Sequence, residues 1–203
     1  MTGFPEPDRG AVRRFVETIF RNATPGTFAA LRAFREDIKE PWRPELWSMP
    51  AIGSDLQTLA ETAADLAWAA AAAPEKVLFA APLCTFKTRE NAAEKNVAEG
   101  LAISLELDDH PERGREKAED LLGPPTLVVK SGGLWLETNT GELQYRRHLH
   151  WRLTTPARSF AELIRLKETR RRLALLVGAD LSGVPINHPY RWPGTWNRKM
   201  DEP

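Results

Sequence analysis

The chain has 203 residues, 42% of them hydrophobic and 28% charged, and its 28 basic and 28 acidic residues leave a formal net charge of zero. That length suits one globular domain, or one domain with an appendage, and the totals point to no polyanionic partner. The single cysteine, Cys84, excludes a disulfide framework and a cysteine-based zinc site. Glu6 and Asp8 in a first segment without an apolar core argue against a signal peptide. The apolar run Ala67–Ala73 falls far short of the roughly 20 residues that cross a bilayer. A soluble protein of a reducing cytoplasm is expected.

In chain order, Val12, Phe15, Val16, Ile19 and Phe20 recur at helical spacing, which predicts a helix within Asp8–Asn22. Pro25-Gly26 ends it, and Thr27–Phe34 reads as a strand before a loop rich in Trp and Pro. Ser54-Asp55 reads as the cap of an alanine-rich helix that runs to about Ala73 and stops at Pro74. Val77–Ala80 reads as a short buried strand. Leu101–Asp108 alternates as a strand does, Pro111–Leu122 reads as a helix, and Thr126–Lys130 as a further strand. Leu134–Glu137 and Leu143–Leu153 flank the turn residues Thr138–Gly141 and predict a hairpin. Phe160–Val177 follows as a helix whose outer face carries Arg170, Arg171 and Arg172. Strands mixed with helices, including a hairpin, predict an α+β fold. The chain divides into a mostly helical module over residues 1–75 and a core over residues 76–203.

Charge is uneven along the chain. Glu90–Asp120 holds ten acids and four bases, whereas Arg146–Lys199 holds twelve bases and three acids. An acidic centre with a basic shoulder suits metal-dependent chemistry on phosphates. Solvated helix faces of opposite sign would show the same totals.

The chemistry concentrates in a few short segments. Glu106 and Asp108 stand two residues apart on a strand, so both carboxylates leave the same face, their Cα atoms roughly 6.5 to 7 Å apart. Carboxylates at the end of a buried strand are costly unless cations or donors meet them, and Mg²⁺ accepts such oxygens while keeping positions open for phosphate. Ser131-Gly132-Gly133 follows a strand directly, where its amides and hydroxyl can hold a phosphate; it also suits a plain turn. His148 and His150 share a strand face beside Arg146 and Arg147, so either imidazole can meet a phosphate or a metal. Asp180 sits in Gly178-Ala179-Asp180 at a helix end. Arg191 precedes a Pro193-Gly194 turn, flanked by Trp192 and Trp196, which suit either base stacking or packing.

Taken in order, these segments resemble the archaeo-eukaryotic primase superfamily, especially the RepB-like primases and primase-polymerases of plasmids and phages. The acid-x-acid strand is similar to Glu106-Leu107-Asp108. The Ser-Gly segment leading to His is similar to Ser131-Gly132-Gly133 and, after an inserted hairpin, His148-Leu149-His150-Trp151. The later acid is Asp180. The run Arg-x-Pro-Gly-Thr-x-Asn-x-Lys matches Arg191-Trp192-Pro193-Gly194-Thr195-Trp196-Asn197-Arg198-Lys199. The resemblance spans about Val77–Lys199. Glu106 stands where Asp is common, His150 replaces a usual Tyr, and the insertion before His148 is long. No zinc-binding stem or helicase domain is visible in this sequence.

The resemblance implies an RRM-like palm sheet with the N-terminal module packed against it. It implies two Mg²⁺ or Mn²⁺ ions held by Glu106, Asp108 and Asp180, and Ser131, His148 and Arg191 holding the nucleotide's phosphates. The implied activity is a primase/polymerase-type nucleotidyl transfer from NTP or dNTP, templated by single-stranded DNA, in plasmid, phage or mobile-element replication. A replicative helicase is an implied partner. Two other readings stay open. His148-Leu149-His150 also fits the His-apolar-His pattern of replication-initiator endonucleases, with Tyr145 or Tyr190 as nucleophile. An inactive nucleic-acid-binding palm domain is the other.

Overall fold

The computed structural model describes residues 6–35, 50–53 and 56–196. Helix α1 (Arg9–Ile19) begins where the Asp8 carboxylate accepts the Ala11 amide, and it buries Val12, Phe15, Val16 and Ile19, the residues at helical spacing. Strand β1 (Ala33–Arg35) is shorter than the segment expected from Thr27; upstream of it Phe28 forms only isolated bridges to Ala51 and Phe86. Helix α2 (Gln57–Ala72) buries its small residues, among them Ala60, Ala63, Ala64 and Ala67, against α1. The expected cap Ser54-Asp55 lies outside the described residues.

Strands β2 (Val77–Pro82), β3 (Cys84–Phe86), β4 (Val97–Leu107), β5 (Leu127–Glu137) and β6 (Glu142–Ala157) follow, with helix α3 (Pro111–Leu122) between β4 and β5. Helix α4 (Phe160–Val177) carries a reciprocal cap: the Ser159 hydroxyl accepts the Glu162 amide, and the Glu162 carboxylate accepts the Ser159 amide. Strand β7 (Pro189–Arg191) closes the described chain. Neither β3 nor β7 is marked in the sequence, since three residues are too few to show a period.

Two antiparallel sheets result, ordered β3-β4-β6-β5 and β1-β2-β7. The alternation of β4 and β6 assigns the layers. Leu105, Leu107, Leu149 and Trp151 pack on one face with Ala118 of α3 and Leu173, Ala174 and Val177 of α4. On the other face, Ser104 and Glu106 pair in register with His150 and His148. This face meets the N-terminal layer: Leu101, Ala102 and Val129 share a core with α1, α2, β2, Tyr190 and Trp192. Because β7, from the end of the chain, joins β2 and β1, residues before and after position 75 build one sheet and one core. Among the described residues no helix is long and apolar enough to cross a membrane.

The arginine run of α4 is not all on its outer face. Inward positions recur at Leu166, Arg170, Leu173, Ala174 and Val177, so helical spacing itself turns Arg170 into the protein. It is 1% exposed and donates to the carbonyls of Ala102 at 2.7 Å and Pro185 at 3.0 Å. Arg171 and Arg172 remain exposed as expected.

Candidate active site

A cleft of about 310 Å³ opens between the two sheets. The four-stranded sheet contributes Glu106, Ser131, Arg146 and His148; the other sheet contributes Phe34, Leu78 and Arg191. Five of the six residues singled out in the sequence therefore converge here. Asp180, the sixth, does not line the cleft but abuts it, because its amide donates to the Glu106 carbonyl at 2.9 Å.

Local structure explains that placement. Gly178 takes a left-handed conformation (φ 79°) and ends α4, turning the chain back toward the end of β4. Asp180 then caps a short 3-10 turn, its carboxylate accepting the Ser182 amide at 2.8 Å. Gly183 follows where a side chain would press on the Tyr190 hydroxyl, 2.9 Å from the position of a Cβ. That hydroxyl donates to the Gly183 carbonyl at 2.7 Å and holds the turn against β7.

Glu106 is the most engaged of the acids. One carboxylate oxygen lies 3.1 Å from His188 Nε2 and 3.5 Å from His148 Nε2; the other accepts the Ser182 hydroxyl at 3.1 Å. Burial alone would raise its pKa. The His188 hydrogen bond, the neighbouring imidazoles and Ser182 outweigh that and hold it below the usual value. Asp108 behaves oppositely: burial raises its pKa and the charges of Glu106 and Asp180 add to the rise, against Arg146 and Arg191. Three carboxylates repelling one another beside arginines form an electrostatic setting suited to cations and phosphates together.

His148 is buried and pushed down to about 4, mainly by desolvation with Glu106 opposing, so at neutral pH it is an uncharged imidazole. Arg191 donates to the Ser131 carbonyl at 2.5 Å, which couples β7 to β5 across the cleft. Ser131-Gly132-Gly133 is not a turn after a strand. The three residues sit inside β5, where the pairing with β6 shifts between Lys130 and Leu134, and Gly132 has φ 79°. They form a bulge, which bends the strand and aims Ser131 and Gly133 at the cleft. A Cβ on Gly133 would come 2.7 Å from Arg146 Cδ, so the glycine makes room for that arginine.

Several expectations resolve toward packing. His150 is fully buried, its Nδ1 3.0 Å from the Ser104 hydroxyl and its ring against Phe15 and Tyr190. It leaves the cleft to His148 because the strand runs beneath α1 at that point. Tyr190 is buried as well, its phenol pKa raised by burial, and it serves as a structural donor. Trp192 packs on Phe15, Phe20 and Phe79 and is 1% exposed, so it offers no stacking surface. The Pro193-Gly194 turn pins this end of the chain to α1, with the Asp8 amide donating to the Gly194 carbonyl at 2.9 Å. Asn197, Arg198 and Lys199 lie outside the described residues.

His188, Arg146 and Arg35 line the cleft without having been singled out. His188 had one available signal: it is one of four histidines, three residues before Arg191. Arg35 had none.

No known family model matches the chain, and no curated protein matches it. Solved structures do. The primase-polymerase domain of cyanophage S-2L superposes with a TM-score of 0.58 over 98% of this chain and 88% of its own, at 14% identity. The catalytic domain of the primase RepB′, solved with initiator DNA, gives 0.55 over 95% and 81%, at 12% identity. The chain has the archaeo-eukaryotic primase fold. In the terms of that fold, the cleft lies between the palm sheet β3-β4-β6-β5 and the layer of β1-β2-β7, and the matches to both structures cover nearly all of this chain.

Proposed function

We propose that this protein is a primase/polymerase-type nucleotidyltransferase that adds nucleotides to a 3′-hydroxyl on a single-stranded DNA template. The observation that carries the reading is the meeting of Glu106, Asp108 and Asp180 at the rim of a cleft whose walls carry Ser131, His148 and Arg191. These residues come from five separate elements of the chain.

In this reading Glu106, Asp108 and Asp180 would hold two Mg²⁺ or Mn²⁺ ions. The donor set fits hard cations, since it is oxygen-rich and Asp108 is destabilised as an anion by burial and by the carboxylates of Glu106 and Asp180. Among the described residues no three acidic or imidazole side chains stand at ligating spacing, so holding the ions would require the carboxylates to rotate. The Glu106 bonds to His188 and Ser182 hold that carboxylate ready at the rim. When bound, the ions activate the attacking hydroxyl and offset charge on the phosphates. Arg191 and Arg146 meet the phosphates as cations, and His148 meets them as a neutral donor. Bound phosphate would raise the His148 pKa from its low value, tightening the contact. NTP or dNTP is the substrate, and the template follows the basic stretch of β6 and the segment beyond it, with affinity that falls as salt rises.

The test is extension of labelled nucleotides on single-stranded DNA, with and without primer, in Mg²⁺ or Mn²⁺. Wild type yields products, and the E106A/D108A variant loses them by at least about a hundredfold. Products that persist in the variant overturn the assignment. A covalent DNA adduct lost on Tyr→Phe change would instead favour a nicking enzyme. The burial of His150 and Tyr190 supports the polymerase reading over that one.

A further inference from the structure

Toward the end of β4 that carries Val97, the surface holds a second depression of about 460 Å³. Its floor is apolar: Val97 of β4 and Ile186 are 2% and 3% exposed. Its wall is the first two turns of α4, where Leu163 packs inward while Ile164 is 47% exposed and Phe160 80% exposed. An exposed phenylalanine beside a concave apolar floor is an unusual use of a large side chain on a surface.

The rim is cationic. Lys87, Lys95, Lys167 and Arg158 surround the depression, and Glu94 is the single acid among its lining residues. Glu94 is neutralised within the rim: its carboxylate accepts from Lys167 at 2.8 Å and from the Ile186 amide at 3.3 Å. Arg158 is likewise tied to Glu99 at 2.8 Å. Lys87 and Lys95 are exposed and add a net positive field over the apolar floor.

We propose that this groove docks an acidic peptide segment of a partner protein, one that inserts a bulky apolar side chain between Phe160, Ile164 and Ile186 while its carboxylates face Lys87 and Lys95. Concavity and aliphatic lining favour a peptide over single-stranded nucleic acid. A base needs a flat aromatic face, and here one phenylalanine stands among aliphatic side chains. A volume of 460 Å³ accommodates an aromatic or leucyl side chain with its neighbours. The groove shares no lining residue with the cleft, and Lys87, Lys95 and Phe160 lie on elements that do not reach it.

The experiment uses the full chain and a fluorescein-labelled acidic peptide with one terminal phenylalanine, followed by anisotropy. Two controls are the same peptide with serine for phenylalanine and a labelled oligothymidylate. Saturable binding is expected, weakened at least about tenfold by K87E/K95E, by F160S and by loss of the peptide's phenylalanine. Primer extension on naked template stays at the wild-type level in K87E/K95E, and circular dichroism reports that both variants are folded. Absence of saturable peptide binding overturns the proposal, as does binding that ignores the lysine reversals. Oligothymidylate binding that K87E/K95E abolishes, without peptide binding, makes the surface a nucleic-acid track and overturns it too.

Discussion

Arg170→Met tests how the site is held together. Arg170 lies inside α4 at 1% exposure, and its guanidinium bridges the Ala102 carbonyl of β4, at 2.7 Å, to the Pro185 carbonyl, at 3.0 Å. Pro185 precedes His188 by three residues, so the bridge secures the segment that presents His188 to Glu106. Methionine retains most of the side-chain volume, so the cavity contribution is small. What disappears is a pair of hydrogen bonds from a charged donor, each contributing about 1.5–3 kcal/mol, although the Pro185 carbonyl keeps the His188 amide at 3.1 Å. Removing a buried cation recovers part of that. The net loss is about 3 kcal/mol, which for a chain of this length lowers Tm by about 6–12 °C. Thermal unfolding followed by circular dichroism measures it, and Arg170→Lys should fall between the two. Hydrogen exchange should rise first at Ile186–His188, where the anchoring carbonyl is freed. A Tm within about 1 °C of wild type would refute the view that Arg170 clamps this segment to the sheet.

Further expectations follow from the same geometry. His150 is fully buried and its pKa is held well below the usual value by desolvation, so it folds uncharged. The stability it contributes is complete above its unfolded pKa of about 6.5 and is lost as the pH falls below that, toward the folded value. His150→Gln should flatten the decline between pH 6.5 and 4.5 in urea unfolding; an unchanged slope would count against burial of the neutral ring. Gly133→Ala should push Arg146 out of the cleft, since its Cβ would come 2.7 Å from Arg146 Cδ. Nucleotide KM should then rise several-fold while Tm changes by less than about 3 °C; an equal fall in kcat with KM unchanged would contradict a binding role. Gly100→Ala should cost about 1–3 kcal/mol in denaturant unfolding, because the new Cβ collides with Leu166 of α4, whose neighbourhood is packed on both sides. A neutral result would mean that α4 shifts freely over β4.

Much of the fold could be read from local pattern. The helices Pro111–Leu122 and Phe160–Val177 have the bounds their spacing predicts, and the hairpin turn lies at Thr138–Gly141 as its residues require. These are short-range matters: period, caps and turn chemistry act between residues a few positions apart. The alternation of β4 likewise placed Glu106 opposite Leu105 and Leu107 from sequence alone.

Other features lay beyond such reasoning. Arg170 stands in a run of three arginines, and the helical period alone turns it inward, but the carbonyls that satisfy it belong to Pro185 and, 68 residues away, to Ala102. His148 and His150 are equivalent by alternation, yet one lines the cleft and the other lies beneath α1, a difference made by the layer that covers the sheet. Trp192 packs into the shared core for the same reason. The sequence by itself determined the longer helices, the longer strands and which carboxylates leave the same face of a strand, since these depend on neighbours in the chain. Only the tertiary structure decided that Asp180 touches the end of β4, that His188 grips Glu106, and that β7 closes the cleft beside β2. Those contacts join residues some 70 to 110 positions apart, and no local period encodes which distant surface a segment will bury.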